Sequence, residues 1–314
     1  MPYDNATLRG DVQALIPEEV SRVMMTNLVD QSAALSLFQR VPISTNQTRM
    51  PVLSALPMAY FVEGDTGYKQ TTKVAWANKY LNVQEIATIV PVPEAVAADV
   101  DFDFWENVRP LIEQAIGRRL DAAVFFGVNK PNDWPDDIAA LATATGNTVT
   151  MGTATAAQGG LATDISNLFG LLEGQGQDIT GVVARMSLRA FARNARDANG
   201  QQLPEITPTE WWNARVVYPM RGLWPTGAGT VQAFVGDFTQ AILGVRQDIT
   251  WKLLTEGVIQ DPADGSIVYN LAQQDMVAMR VVARYAYQVA NPIVYDELSE
   301  DARFPFGVLL SAGS

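Results

Sequence analysis

Residues 73–92 read KVAWANKYLNVQEIATIVPV, and a run of similar character, Arg49 to Val62, precedes them across the turn-forming Glu63-Gly64-Asp65-Thr66-Gly67. β-Branched and aromatic residues fill both runs and turn residues separate them, which is the pattern of a long β-hairpin. The second run is some three times the average strand of ~5–6 residues. A two-stranded ribbon of that length has no second layer on which to bury Trp76, Tyr80 and Leu81. It therefore needs either a neighbouring subunit or a place inside one larger sheet. Lys69, Lys73 and Lys79 lie on or beside the tip, where charge keeps an exposed ribbon soluble.

Downstream of the hairpin, Trp105, Val108, Ile112, Ala115, Ile116, Leu120 and Ala123 recur at helical spacing and predict a long helix over 104–126. Asp99, Asp101 and Asp103 alternate as in a calcium loop, but Phe104 stands where that loop needs glycine and Pro110 where it needs a bidentate glutamate. They read as helix-start charges. Upstream, Pro17, Glu18 and Glu19 fit a first helical turn followed by Val20, Val23, Met24 and Leu28, and a second short helix fits Ser32 to Gln39. With Pro42 and Pro51 beyond, this end reads as an arm reaching outward or as a helical hairpin.

Between Ala139 and Gly160 the composition turns to Ala, Thr and Gly, which reads as exposed hairpin or loop, and a second domain is expected from Leu161. There Ile165, Leu168, Phe169 and Leu172 fit a helix ending by Gly174, Val182-Val183 a buried strand, and Met186 to Ala198 a helix stopped by Asn199-Gly200. A strand ending at Gly236-Asp237 and another from Ala241 follow. Met276 to Ala290 then alternates, with Val277, Met279, Val281, Ala283, Tyr285, Tyr287 and Val289 on one face and Arg280, Arg284 and Gln288 on the other. That is a long central strand returning to the region of the long helix. The fold class is α+β.

The 314 residues contain neither cysteine nor histidine. Disulfides, thiolate metal sites, the usual zinc ligands and the Ser-His-Asp and Cys-His catalytic arrangements are therefore excluded. No phosphate-binding loop, His-Glu-x-x-His pair or Gly-x-Ser-x-Gly elbow occurs, and Gly174-Gln175-Gly176 follows a helix and lacks the third glycine of a dinucleotide loop. Trp211, Trp212 and Trp224 have no interleaved basic patch and read as core packing or a subunit contact rather than a base or sugar platform. A net charge of −12 argues against gripping nucleic acid through its phosphates. No apolar run approaches the ~20 residues that span a bilayer, so no membrane role is expected and synthesis is expected in a cytoplasm. The expectation is a non-enzyme without cofactors or metal.

Taken in order, these segments resemble the tailed-phage major capsid proteins of the Hong Kong 97 fold. The likeness is carried by Leu15-Ile16-Pro17-Glu18-Glu19-Val20-Ser21, Arg49-Met50-Pro51-Val52-Leu53, Ala59-Tyr60-Phe61-Val62-Glu63-Gly64 and Val90-Pro91-Val92-Pro93-Glu94. It continues through the long helix to Asp121-Ala122 and Gly127, then Asp197-Ala198-Asn199-Gly200, Val235-Gly236-Asp237-Phe238 and Asp275 to Arg284. The resemblance implies an N-terminal arm over 1–48 and an extended loop over 49–92. It further implies a peripheral domain over 93–160 plus 272–314, holding the spine helix and the return strand, and an axial domain over 161–271.

It also implies self-assembly into hexamers and pentamers of an icosahedral shell around double-stranded DNA, which is enclosed without specific binding, with Val20, Met24, Lys69, Lys73, Trp76, Tyr80 and Leu81 as subunit-interface candidates. Its partners would be a portal protein and a separate scaffolding protein, or no scaffold, with assembly in the cytoplasm of a host bacterium; whether a decoration protein clamps the shell is not written in the sequence. Some relatives carry a lysine–asparagine isopeptide bond between subunits, for which Lys69 or Lys73 with Asn291 are the residues here. No motif supports that bond, and a monomer-only denaturing gel is expected. The rival readings are an encapsulin-type nanocompartment shell protein and a soluble hydrolase or carbohydrate-binding protein.

Overall fold

The computed structural model describes residues 32–62, 67–99, 104–155, 158–196, 201, 203–219, 224, 231–261, 263–294 and 299–311. The helix expected over Pro17–Leu28, with Val20 and Met24, lies outside the described residues, as do Glu63–Thr66, Asp101, Asp103 and Asn199-Gly200.

In chain order, α1 (Ala33–Leu37) leads into strands β1 (Gln39–Pro42), β2 (Gln47–Ala55) and the 19-residue β3 (Ala75–Pro93). Helices α2 (Glu94–Asp99), α3 (Phe104–Phe126) and α4 (Ile138–Ala144) follow, then β4 (Thr148–Thr150), α5 (Leu161–Glu173), β5 (Gly181–Ala184) and α6 (Leu188–Asn194). The rest is strand: β6 (Glu210–Trp211), β7 (Ala214–Val217), β8 (Val231–Gly236), β9 (Ala241–Leu254), β10 (Val258–Gln260), β11 (Ile267–Asn270), β12 (Met276–Val289) and β13 (Phe306–Leu310).

Two sheets organise these elements. A five-stranded sheet runs β1-β9-β12-β3-β2 and a six-stranded sheet runs β4-β13-β8-β5-β7-β6. Strand β12 is central, antiparallel to β3 on one side and β9 on the other. Its Met279, Val281, Ala283, Tyr285, Tyr287 and Val289 are buried in one cluster with Ile112, Ile116, Leu120 and Val124 of α3. The period of 2 along the strand and the period of 3.6 along the helix meet on a shared apolar layer. That cluster continues through Phe125, Phe234, Phe238 and Phe306 onto the six-stranded sheet, whose other face packs under α5 and α6. The spine helix thus joins the two layers.

The strand partners redraw the expected segmentation. Residues 32–43 do not reach outward: Ala33, Ala34 and Phe38 are buried in the main cluster, and β1 pairs in parallel with β9. Strand β9, placed by sequence in the axial part, belongs to the sheet of β12 and β3. Strands β4 and β13, placed in the peripheral part, belong to the other sheet. The reason is that pairing is a long-range choice, which local composition does not encode. The first part of the stretch from Ala139 is neither loop nor hairpin. Asp137 accepts from the Ala140 amide as an N-cap, and α4 follows with Ile138 and Ala142 fully buried.

The hairpin satisfies both readings in turn. From Val83 to Pro93, β3 belongs to the large sheet through its pairing with β12. From Ala75 to Asn82 it pairs only with β2. Residues 56–62 and 67–74 beyond are in neither helix nor strand.

Candidate assembly interface

The outer half of the hairpin leaves a group of large apolar side chains in water. Met58, Tyr60, Trp76 and Tyr80 are about half exposed or more, and Phe61 and Tyr68 are exposed at 104% and 97%, as in an extended chain. Soluble monomers scatter such residues singly, and a contiguous group marks a contact surface. Lys69 and Lys73 are exposed beside them. Leu81 corrects the expected set: it is buried at 3%, clustered with Ile43, Val83 and Ala286. Neighbours along a strand point to opposite faces, so Tyr80 and Leu81 cannot serve the same surface. The outward face consists of Trp76, Asn78 and Tyr80, opposite Leu53, Pro51 and Arg49.

At its base the hairpin is fixed. Lys79 donates to the Val289 carbonyl at 3.1 Å and pairs with Glu300 at 2.6 Å. Trp134 donates its indole N–H to the Asn82 carbonyl at 3.0 Å, and Gln288 reaches the Tyr80 carbonyl at 3.2 Å. These contacts border a cleft of about 680 Å³ whose wall includes Asn291 and Arg303. Asn291 is buried at 4%, with its amide donating to the Arg303 carbonyl at 2.9 Å. The lysine that shares this cleft is Lys79, not Lys69 or Lys73.

A second fixed point was not legible as such in the sequence. Asp121 on α3 is buried at 3% and accepts three hydrogen bonds, from the Ser32 hydroxyl at 2.6 Å and from the Ala33 and Ala34 amides at 2.9 Å each. Ser32 in turn accepts from the Leu35 amide at 3.1 Å. The carboxylate therefore caps α1, whose first-turn amides have no partner within their own helix. Burial pushes the Asp121 carboxyl up to about 6, against the three hydrogen bonds that favour its ionised form. The available signal was a lone aspartate within the apolar stripe of the spine helix, four residues after Gly117. A side chain at Gly117 would press on Ser32, since its Cβ would lie 3.0 Å from Ser32 Cβ.

Among the described residues no three His, Cys, Asp or Glu side chains gather as metal ligands. Trp211 is fully buried, Trp212 packs edge-on to Phe169 at 5.3 Å, and Trp224 packs on Phe126 and Phe234, so the tryptophans pack as expected. No described helix is long and apolar enough to cross a membrane.

The model of the phage capsid family matches residues 13–294 of this two-layer subunit. The chain belongs to the phage capsid family. This capsid subunit is similar to a solved structure from Microbacterium phage Oxtober96, at 36% identity and a TM-score of 0.82, covering 97% of this chain and 99% of that one. One from Mycobacterium phage Adephagia gives 31% and 0.85, covering 98% and 99%. The major capsid protein of Staphylococcus phage 80alpha is 22% identical over 298 residues, 94% of this chain and 88% of the relative. The fold also matches the capsid of a native GTA particle, with a TM-score of 0.66 at 15% identity. The fold is therefore of the Hong Kong 97 type and the function is that of a tailed-phage major capsid protein, a structural subunit of an icosahedral shell. These relatives favour that reading over a nanocompartment shell and over a hydrolase or carbohydrate-binding protein.

Proposed function

We propose that the outer hairpin, through Trp76, Tyr80 and the tip around Lys69 and Lys73, lies across a neighbouring subunit and holds the capsomer together. The observation that carries this is the group of large exposed side chains from Met58 to Tyr80 on a ribbon with no second layer of its own. Val20 and Met24 act with the N-terminal segment in the same assembly. The layer of β8, β5 and β13 serves as the axial part at the capsomer centre, and the layer of β12, β9 and β3 with the spine helix as the peripheral part.

The subunit works as a container and has no catalytic role, which the missing Cys and His support. DNA is enclosed rather than gripped, in keeping with the net charge of −12. Portal, separate scaffolding and decoration proteins complete the particle, which assembles in the host bacterial cytoplasm. No Lys69–Asn291 or Lys73–Asn291 cross-link forms, because the Asn291 amide is buried and already hydrogen-bonded.

Electron microscopy of particles from the native source, with an assay for nuclease-protected DNA in the same material, tests the reading. Uniform shells with hexameric and pentameric capsomers and protected DNA are expected. Small oligomers under every assembly condition, scaffold included, would overturn it, and shells holding protein cargo instead of DNA would point to a nanocompartment.

A further inference from the structure

The face of the five-stranded sheet turned away from the spine helix carries a trough built of three rungs. Side chains alternate along β12, so Arg280, Val282 and Arg284 point away from the buried Met279, Val281 and Ala283. Arg280 stands between Ile89 of β3 and Lys252 of β9, Val282 between Ala87 and Thr250, and Arg284 between Glu85 and Gln247. The middle rung carries short side chains and the rungs on either side carry long ones. A recess of about 220 Å³ therefore crosses the strands, with the middle rung as its floor and the other two as its walls. The register of β9 shifts beside it, between Thr250 and Gln247, and the Gln247 amide donates to the Thr250 hydroxyl at 2.8 Å.

The two walls differ in how their charge is met. On one, the Arg284 guanidinium contacts Glu85 Oε2 through Nε at 2.8 Å and Nη2 at 2.7 Å, so its charge is offset in place. On the other, Arg280 and Lys252 are exposed and directly opposite one another, where like charges destabilise a strand pair. Neither has an ion pair among the described residues. Ile89 completes that wall and is 43% exposed. Two cations without counter-charges, beside an isoleucine and over a small apolar floor, suit carboxylates carried on an apolar stem. Free phosphate or a nucleic-acid backbone would gain nothing from Ile89, Ala87 and Val282, whereas a short protein segment uses the charge and the apolar surface together.

We propose that the Lys252–Arg280 recess docks a short acidic and apolar segment of a protein other than this chain, with its carboxylates on Arg280 and Lys252 and an apolar side chain over Ala87 and Val282. The inference rests on the capsid reading, in which the subunit has partners besides its own copies, and names the chemistry by which one of them is held. The surface is separate from the long hairpin of β2 and β3. A two-fold contact between copies would set the patch against itself, with Arg280 and Lys252 facing Arg280 and Lys252, so charge opposes self-pairing there.

Fluorescence anisotropy of a labelled peptide of alternating aspartate and valine, titrated with the unassembled full-length subunit, tests the proposal. Saturable binding of one peptide per subunit is expected, weakened by added salt, while the same peptide with lysine in place of aspartate does not bind. Lys252→Glu with Arg280→Glu weakens the affinity by about tenfold or more. Ala87→Trp fills the floor, leaves every charge in place and also abolishes binding. Ala87, Lys252 and Arg280 are exposed, so the melting temperature of each variant stays at the wild-type value.

The variants are expected to form shells as the wild type does, and assembled shells to bind the peptide. No binding of the aspartate peptide, equal binding by the charge-reversed or floor-filled subunit, or equal binding of the lysine peptide would each overturn the docking. So would shells that no longer bind the peptide, or charge-reversed subunits that fail to assemble, since either result gives the recess to another copy of the chain. None of these outcomes touches the capsid reading, which stands or falls by whether the wild-type protein forms icosahedral shells.

Discussion

Replacing Asp121 tests whether a single buried carboxylate fixes the root of the N-terminal segment. Its three donors, the Ser32 hydroxyl and the Ala33 and Ala34 amides, are buried and have no other acceptor in their own helix. Stranding a buried donor costs about 1–3 kcal/mol. Removing the desolvated carboxylate works in the opposite direction, so Asp121→Ala is expected to cost about 3 kcal/mol net at pH 7.

The pH dependence has a definite sign. The carboxyl titrates at about 6 in the fold and 3.8 otherwise, so the folded state binds the proton more tightly and stability rises as pH falls between those values. The gain is about 1 kcal/mol from pH 7 to pH 5 and about 3 kcal/mol once pH is well below 3.8. Asp121→Asn keeps the shape but cannot ionise, so the wild type minus Asn difference isolates this gain from every other carboxylate. Urea unfolding of unassembled subunits, followed by tryptophan fluorescence at pH 7, 6 and 5, supplies the measurement. A loss below about 1 kcal/mol for Asp121→Ala, or wild type and Asp121→Asn moving in parallel with pH, would refute the reasoning.

Three further outcomes follow from the same geometry. Trp76→Ala leaves the subunit's stability within about 0.5 kcal/mol, because the side chain is 64% exposed, while shell formation drops on the order of tenfold by sedimentation. Gly236→Ala destabilises by about 3 kcal/mol or more in the same urea assay. An added Cβ would fall 2.2 Å from the Pro305 carbonyl and 2.9 Å from Phe306 Cα, and backbone atoms in a paired strand cannot yield as a flexible side-chain tip would. Shells heated in detergent run as monomers, and a ladder there would show that Asn291 leaves its hydrogen bond to Arg303 and becomes reachable.

What the sequence revealed and what it hid divide along one physical line. The spine helix and strand β12 were legible to within a residue, because the apolar periodicity of Ile112, Ile116 and Leu120, or of Val281, Ala283 and Tyr285, is written inside the element itself. The sheet to which β9 belongs was not. Ala241 begins only five residues after the end of β8 at Gly236, yet it joins β1 and β12 rather than β8's own neighbours. Helix α4 was hidden by the threonines and glycine around it, although alanine is the strongest helix former and Asp137 stood at the cap. Of the interface residues, Trp76 and Tyr80 followed from the length of the ribbon. Leu81 was misjudged because the alternation along β3 was not carried through, and Asp121 needed the position of Ser32, 89 residues away in sequence.

The distribution of satisfied and unsatisfied groups carries the functional argument one step further. The main cluster runs from α1 through the spine helix to both sheets, and a second core lies under α5 and α6, so the body holds its shape by its own packing. Among the described residues, the groups that a partner could cover include the aromatic outer hairpin, the acidic β10–β11 hairpin and the Lys252–Arg280 recess. A monomeric protein would lose solubility and stability by keeping three such features. A subunit that must hold a fixed shape while binding copies of itself and other partners at once requires them, because each contact then forms without reorganising the core, and the order of assembly is set by which of them meets its complement first.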